Sequence, residues 1–297
     1  MRVRSFSRSC RTRSVRERKI SNRTPRLVLH VPAKLADRLR ARRKQTGHPI
    51  SAIVIEALSK FLGEGDETIY QSSTVGALME GVNEGDMTVG QLKTHGDFGL
   101  GTFDDLDGEM IELDGRVYRV GSDGQARPVA DSERTPFATV SFFHPDIVAE
   151  KNLPMSYAEL LACISAMMPS KNLFHAIKIS GSFEYLKTRA VAKQEKSAGL
   201  AHAAQTQPTF EFHDARGTLA GFFTPEYMGG VNVPGFHLHF LTEDRTHGGH
   251  LLDCRTSNVK IEIHETPEFE LGLPETAEFM HADLSKDQRE ALKKAEE

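Results

Sequence analysis

The sequence predicts an α+β fold: a mixed β-sheet plus an antiparallel β-barrel or sandwich with a few helices, preceded by a small strand–helix–helix segment. Three observations lead there. Beyond residue 68, run after run of apolar residues alternates with polar ones, the period of two that a half-buried strand requires. Two stretches of that body, 73–82 and 156–168, have helical spacing, and strands with a minority of helices define an α+β class. The charge is also split: residues 1–64 carry 17 Lys+Arg against 4 Asp+Glu, and the rest carries 20 against 37. A basic front and an acidic body imply two parts with different partners.

At 297 residues the chain has room for one large or two ordinary domains. A content of 39% hydrophobic and 26% charged residues is that of a soluble globular protein, and no apolar run is long enough to span a membrane. The three cysteines, Cys10, Cys163 and Cys254, are far apart, odd in number and without a Cys-x-x-Cys. They argue for a reducing, cytoplasmic setting and against a disulfide framework or a thiolate zinc site.

Taking the elements in order, MRVRSFSRSCRTRSVRERKISNRTPR (1–26) is Arg/Ser-rich with almost no apolar residue. Residues 1–25 are therefore expected to be a disordered basic tail. No apolar h-region follows the charges, which excludes a secretory signal; a mitochondrial transit peptide and an upstream extension of the reading frame both fit. In residues 26–62, Leu27, Leu29 and Val31 alternate with Arg26, Val28 and His30 as a strand. From Ala33 the period changes to that of an amphipathic helix ending near Gly47, and a second helix begins around Pro49–Ser51. Strand, helix, turn and helix in this order resemble a ribbon-helix-helix DNA-binding domain. The resemblance implies two paired chains and Arg26, Val28 and His30 facing the bases; a dimerisation or packing arm with solvated arginines is the plainer alternative. Residues 63–68, around GEGDE, read as a linker.

In the body, 69–297, the segment 110–129 reads as strand, Asp-Gly turn, strand and a second turn at Ser122–Gly124. Further strands are expected over 135–143, 172–183, 208–225, 235–241 and 258–265. GDFGLG (96–101) lacks the third glycine and the strand–helix context of a dinucleotide loop, so its glycines serve turns or tight packing. DDLDGE (104–109) has the look of a calcium loop, but aligning Gly108 puts Phe103 at the first ligand position, which excludes it.

The chemistry concentrates in GFHLHFLTEDRTHGGHLLD (235–253). Alternation puts Phe236, Leu238 and Phe240 on one face and His237 and His239 on the other, roughly 7 Å apart at Cα. If LTEDRTHGG is a hairpin turn, His250 returns beside that pair and completes three imidazoles with open positions, the layout of a catalytic zinc site. A lone histidine is ordinarily a packed or surface residue; the His-x-His pair and the returning third raise ligation above that reading. His247, at the turn, is expected to be exposed and outside the site. His237-x-His239-x3-Glu243 also fits the first half of a cupin motif, with the glycine spacing wrong and no convincing second half.

Several segments together resemble one family, the alpha-acetolactate decarboxylases. They are HGDFGLGTFDDLDGEMIELDG (95–115), PSKNLFHAIKISG (169–181), LKTRAV (186–191), TQPTFEF (206–212) and GTLAGFFTPEYMGGVNVPGFHLHFLTEDRTHGGHLLD (217–253). The resemblance covers about residues 69–297 and implies zinc-dependent decarboxylation of 2-acetolactate to acetoin. It implies His237, His239 and His250 as zinc ligands, Glu109 as an active-site glutamate and Arg189 as the substrate-positioning arginine. It further implies Thr102 as a pocket-lining residue and a glutamate near the C-terminus, placed at Glu296 with Glu297 adjacent. Such a site uses zinc to polarise the β-ketone, Arg189 to orient substrate oxygens, and Glu109 and Glu296 to handle protons. The plainer readings are a solvated turn glutamate, an exposed strand arginine and a fraying, charged C-terminal helix. The resemblance carries the expectation of a cytoplasmic homodimer. Two rivals stand beside it: a cupin-like metal enzyme using Glu243, and a metabolite-sensing regulator whose front end binds DNA.

Overall fold

The computed structural model describes residues 13–14, 28–46, 49–51, 53–54, 57–58, 67–194, 207–286 and 288–296. Nearly all of the predicted tail, Arg26 and much of the second predicted helix lie outside the described residues. The chain's contacts fall into two units, Arg16–Asp66 and a body of Glu67–Glu297 to which Arg13–Ser14 also belongs. Where the tail is described it is not disordered, for Arg13 and Ser14 pair antiparallel with Val148 and Ile147.

In the front unit, helix α1 (Ala33–Thr46) starts behind Pro32, whose carbonyl accepts the N–H groups of Leu35 and Ala36. The next segment is helical where it is described, Ile53 donating to the Pro49 carbonyl. The strand expected over 27–31 is a correction: residues 28–32 are exposed and carry no ladder pairing. A strand needs an edge to hydrogen-bond, and no strand pairs with this segment among the described residues.

The body's strands begin with β1 (Thr68–Ser72), β2 (Phe98–Thr102), β3 (Glu109–Leu113), β4 (Arg116–Val120), β5 (Ala126–Pro128) and β6 (Ala138–Ser141). They continue with β7 (Ile147–Lys151), β8 (Phe174–Arg189), β9 (Thr209–Thr224), β10 (Gly235–Thr242), β11 (Gly248–Thr266) and β12 (Glu268–Gly272). One sheet has the order β12-β1-β6-β2-β3-β4-β5, parallel at β12–β1 and antiparallel elsewhere. This is the mixed sheet. The other is antiparallel, β7-β11-β8-β9-β10, and β10 pairs back onto the start of β11. Where a barrel or sandwich is expected, that returning sheet is what the described residues form.

The facing surfaces of the two sheets make one core. Phe98, Leu100, Ile111 and Leu113 of the mixed sheet meet Ala176, Ala220, Phe222 and Leu241 of the other. Helix α2 (Val75–Met79) follows β1, its first turn capped by the Thr74 hydroxyl, which accepts from the Ala77 N–H. Helix α3 (Tyr157–Met167) opens on a Ser156/Glu159 capping box. It covers the outer face of the antiparallel sheet with Leu160, Ile164 and Met167 against Ile177, Ile179 and Ile261. The glycines of GDFGLG are packing glycines: a Cβ on Gly99 would stand 2.4 Å from the Thr139 carbonyl oxygen, closer than strands allow.

Strands β8 and β11 run far beyond their predicted ends. Their register slips between Gly181 and Phe183, Phe183 and Tyr185, and Lys187 and Thr188. Each slip breaks the alternation that the sequence pattern reads.

Strand β3 also carries a polar residue in the core of the mixed sheet's other face. Glu112 is fully buried, and neither carboxylate oxygen has a hydrogen-bond partner among the described residues. Burial, with the Asp97 charge adding and Lys93 opposing, pushes its carboxyl up to about 8. The folded protein therefore keeps a proton that the unfolded chain sheds above the ordinary value of 4.5. Stability should fall as pH rises between those limits, by on the order of a few kcal/mol in total. Glu112→Gln should flatten that slope and raise the melting temperature at pH 8. A wild-type melting temperature unchanged from pH 5 to 8 would contradict the assignment.

Candidate metal centre

The site begins at the hairpin that joins β10 to β11. His237 and His239 point into the space between the sheets, and the return strand sets His250 directly across the ladder from His239. Gly249 makes the close return possible. Its φ of +140° is one that side chains rarely adopt, and a Cβ there would come within 2.5 Å of the Arg189 carbonyl oxygen.

The three rings converge. Their centroids are 5.0 Å apart for His237–His239, 5.0 Å for His237–His250 and 5.3 Å for His239–His250. One ligand nitrogen from each lies within 4.8 Å of the others. The Nε2 atoms of His237 and His239 are 3.1 Å apart. That is close to the edge of a tetrahedron with metal–nitrogen bonds of about 2.1 Å.

The protonation states suit a cation. His239 Nδ1 is 2.9 Å from the Met110 carbonyl oxygen, which can only accept; the Nδ1–H therefore donates and Nε2 keeps its lone pair for an ion. Burial first, then the Arg189 charge, brings His237 down to about 3. Burial likewise holds His239 well below its ordinary value. Two imidazoles kept neutral with their lone pairs facing one point are what a divalent ion requires. The residues present therefore fit the implied metal.

Glu109 and Arg189 border this cluster. Glu109, at the start of β3, is 7% exposed. One of its carboxylate oxygens lies 3.6 Å from His239 Nε2, and the other accepts the Val191 N–H at 3.3 Å. Arg189 ends β8 opposite His250 in the ladder and is 8% exposed. Thr102 is the cross-strand partner of Glu109, and its hydroxyl donates to the Gly108 carbonyl at 2.8 Å.

The rest of the pocket is apolar, walled by Val75, Leu78, Leu106, Phe137, Val191 and Val233. Sequence reasoning missed this wall. Leu106 is its least readable member, because Asp105 and Leu106 both hold left-handed backbone, φ 60° and 55°. Each such residue costs about 1–3 kcal/mol. The turn is braced by the Asp105 N–H to the Asn83 carbonyl at 2.9 Å and by the Gln194 N–H to the Asp105 carbonyl at 2.7 Å. Helical spacing had marked 73–82, which holds Val75 and Leu78, as a helix, but nothing marked those residues as a cavity wall.

The remaining candidates lie elsewhere. His247 is exposed at the hairpin turn, its Nδ1 2.9 Å from the Thr246 hydroxyl. Glu243 is exposed and ion-paired with Arg216 at 3.1 Å, apart from the histidine cluster. Val28 and His30 are exposed in the front unit. Helix α4 (Arg289–Glu296) ends at Glu296, whose side chain lies outside the described residues, as does Glu297.

The chain's likenesses can be set beside this geometry. The family model described as Alpha-acetolactate decarboxylase matches residues 69–286. Neither the basic front nor α4 falls within that match. A curated Alpha-acetolactate decarboxylase of Methylococcus capsulatus is 45% identical over 236 residues, 79% of this chain and 91% of that protein. One of Methanosarcina mazei is 46% identical over 231 residues, 77% of this chain and 80% of that protein. The crystal structure of alpha-acetolactate decarboxylase from Bacillus subtilis strain 168 aligns with a TM-score of 0.76 at 41% identity, covering 77% of this chain and 99% of that one.

Proposed function

The chain belongs to the alpha-acetolactate decarboxylase family, and on that premise we propose that zinc held by His237, His239 and His250 serves the decarboxylation of 2-acetolactate to acetoin and CO₂. As a carboxy-lyase of this family it acts on a small β-keto acid. The observation that carries the reading is the convergence of three buried imidazoles on one pocket that also holds Glu109 and Arg189.

When bound, the ion supplies Lewis-acid polarisation of the ketone that must take up the electrons released with CO₂. Arg189 presents a planar, permanently charged fork that orients the substrate's carboxylate and hydroxyl oxygens. Thr102, its own proton engaged by Gly108, offers oxygen lone pairs to a substrate hydroxyl. Glu109 sits where it can take the tertiary hydroxyl proton, with Glu296 as the second acid–base group that returns a proton to carbon. The apolar wall receives the methyl groups and keeps bulk water from the reacting carbon.

Incubating metal-analysed protein with racemic 2-acetolactate should release acetoin, and prior chelation should abolish that release. Metal loading should also raise the melting temperature, since a ligand at a thousand times its Kd adds about 4 kcal/mol. Stoichiometric metal without acetoin would overturn the activity and leave only a metal site.

The domain reading is a basic tail (1–25), a ribbon-helix-helix-like segment (26–62), a linker (63–68) and the catalytic body (69–297). Among the described residues no helix is long and apolar enough to cross a membrane, and the setting proposed is the cytoplasm. Pairing of two front segments would give residues 27–31 the edge they lack and make the protein a homodimer, with Arg26, Val28 and His30 toward DNA. A salt-dependent shift of duplex DNA by the full chain, lost on deleting residues 1–66, would support this. No shift at low salt would reduce the segment to a packing arm.

A further inference from the structure

We infer that Glu80 is a positioning residue for the reaction, fastening the C-terminal helix beside the catalytic pocket; this rests on the reading that Glu296 is the second acid–base group. Glu80 caps the C-terminal end of α2, the helix whose Val75 and Leu78 form part of the pocket wall. Its carboxylate receives Lys286 Nζ at 2.6 Å and also the Gln288 side-chain amide. These two residues stand just before α4 in the chain. One short helix thus supplies both the wall of the pocket and the fastening point of the tail.

The tail depends on contacts with the body. Helix α4 reads REALKKAE, and eight mostly charged residues do not sustain a helix in water without tertiary contacts. Its anchor is Leu292, 4% exposed, which joins Val75, Leu78, Leu106, Phe137, Val191 and Val233 in one buried cluster. The aliphatic part of Arg289 lies over Gly229, where a Cβ would meet its Cδ at 3.2 Å. Glu296 ends the turn of α4 that follows Leu292. Where that turn stands depends on the contacts that seat the helix, and Glu80 makes two of them. Glu80 touches neither the histidine cluster nor the pocket lumen, so it acts through α4.

The test is a double-mutant cycle in the full-length, metal-loaded protein with 2-acetolactate as substrate. Glu80→Ala should lower kcat at least tenfold, with bound metal unchanged and KM within about threefold. Amide hydrogen exchange in residues 288–296 should speed up while that of the histidine strands does not. Glu80→Gln, which keeps one of the two acceptor oxygens and so one of the two contacts, should recover only part of the loss. On a Glu296→Gln background, Glu80→Ala should have no further effect on kcat. Undiminished kcat in Glu80→Ala, with Glu296→Gln inactive, would overturn the inference and leave the Glu296 reading standing. An equal loss from Glu80→Ala on both backgrounds would also overturn it. Undiminished kcat in Glu296→Gln would overturn the Glu296 reading itself, and the inference with it.

Discussion

Glu109→Gln should lower kcat on 2-acetolactate by about a thousandfold, within the range of general acid–base contributions, while the three-histidine site stays loaded with metal. The amide has the same shape and keeps an oxygen for the Val191 N–H that one Glu109 oxygen accepts at 3.3 Å. It cannot take a proton from the substrate's tertiary hydroxyl. Glu109 also stands outside the ligand cluster, which among the described residues is made of the three histidines, so metal content and thermal stability should change little. Strand β3 supplies its own control. Glu112, three residues on, faces the opposite side of the sheet and is buried with no hydrogen-bond partner among the described residues. Glu112→Gln should leave kcat at the wild-type level while changing only the pH dependence of stability. Turnover in Glu109→Gln within threefold of wild type would remove Glu109 from the chemistry. Lost metal would instead make it a ligand.

The two glutamates show what the sequence could and could not convey. Alternation placed 110–129 on two strands with an Asp-Gly turn between them, and β3 and β4 lie there, with Asp114 and Gly115 at positive φ. Alternation alone does not say which face of a doubly covered strand meets the reactive pocket. All five residues of β3 are buried, so burial gives no sign either. The quoted motif around Glu109 carried that distinction. The histidine hairpin was legible for a physical reason: the His-x-His period fixes a shared face, and glycine at 248 and 249 permits a close return strand. The register that sets His250 opposite His239 is then a short hairpin's consequence. Long-range features were not legible. The parallel pairing of β12 with β1 joins residues two hundred positions apart. The left-handed turn at Asp105–Leu106 depends on braces from Asn83 and Gln194. Neither leaves a local periodic signal. The strand expected over 27–31 had the right alternation but no pairing among the described residues.

His250→Ala should release the metal and with it all measurable acetoin formation, whereas Glu243→Ala should leave both intact. The histidine cluster gives an ion three nitrogen ligands on one side and open positions on the other. Removing one leaves the His237–His239 pair, a chelate too weak to compete with buffer. Loss of a group that only hydrogen-bonds a ligand weakens metal binding by about 10- to 100-fold, so loss of a ligand itself should exceed about a hundredfold. The empty space left by the imidazole is small and opens onto the pocket, so the fold should survive; its melting temperature should match that of chelator-treated wild type. Glu243 makes its ion pair with Arg216 on the exposed surface, side chains 64% and 63% exposed, and such pairs contribute roughly 0–1 kcal/mol. The opposite pattern, metal retained in His250→Ala and lost in Glu243→Ala, would restore the cupin-like ligand set. Metal retained in both would mean that His250 is a packed histidine and that the ion is held by His237, His239 and a carboxylate, for which Glu109, 3.6 Å from His239 Nε2, is a candidate.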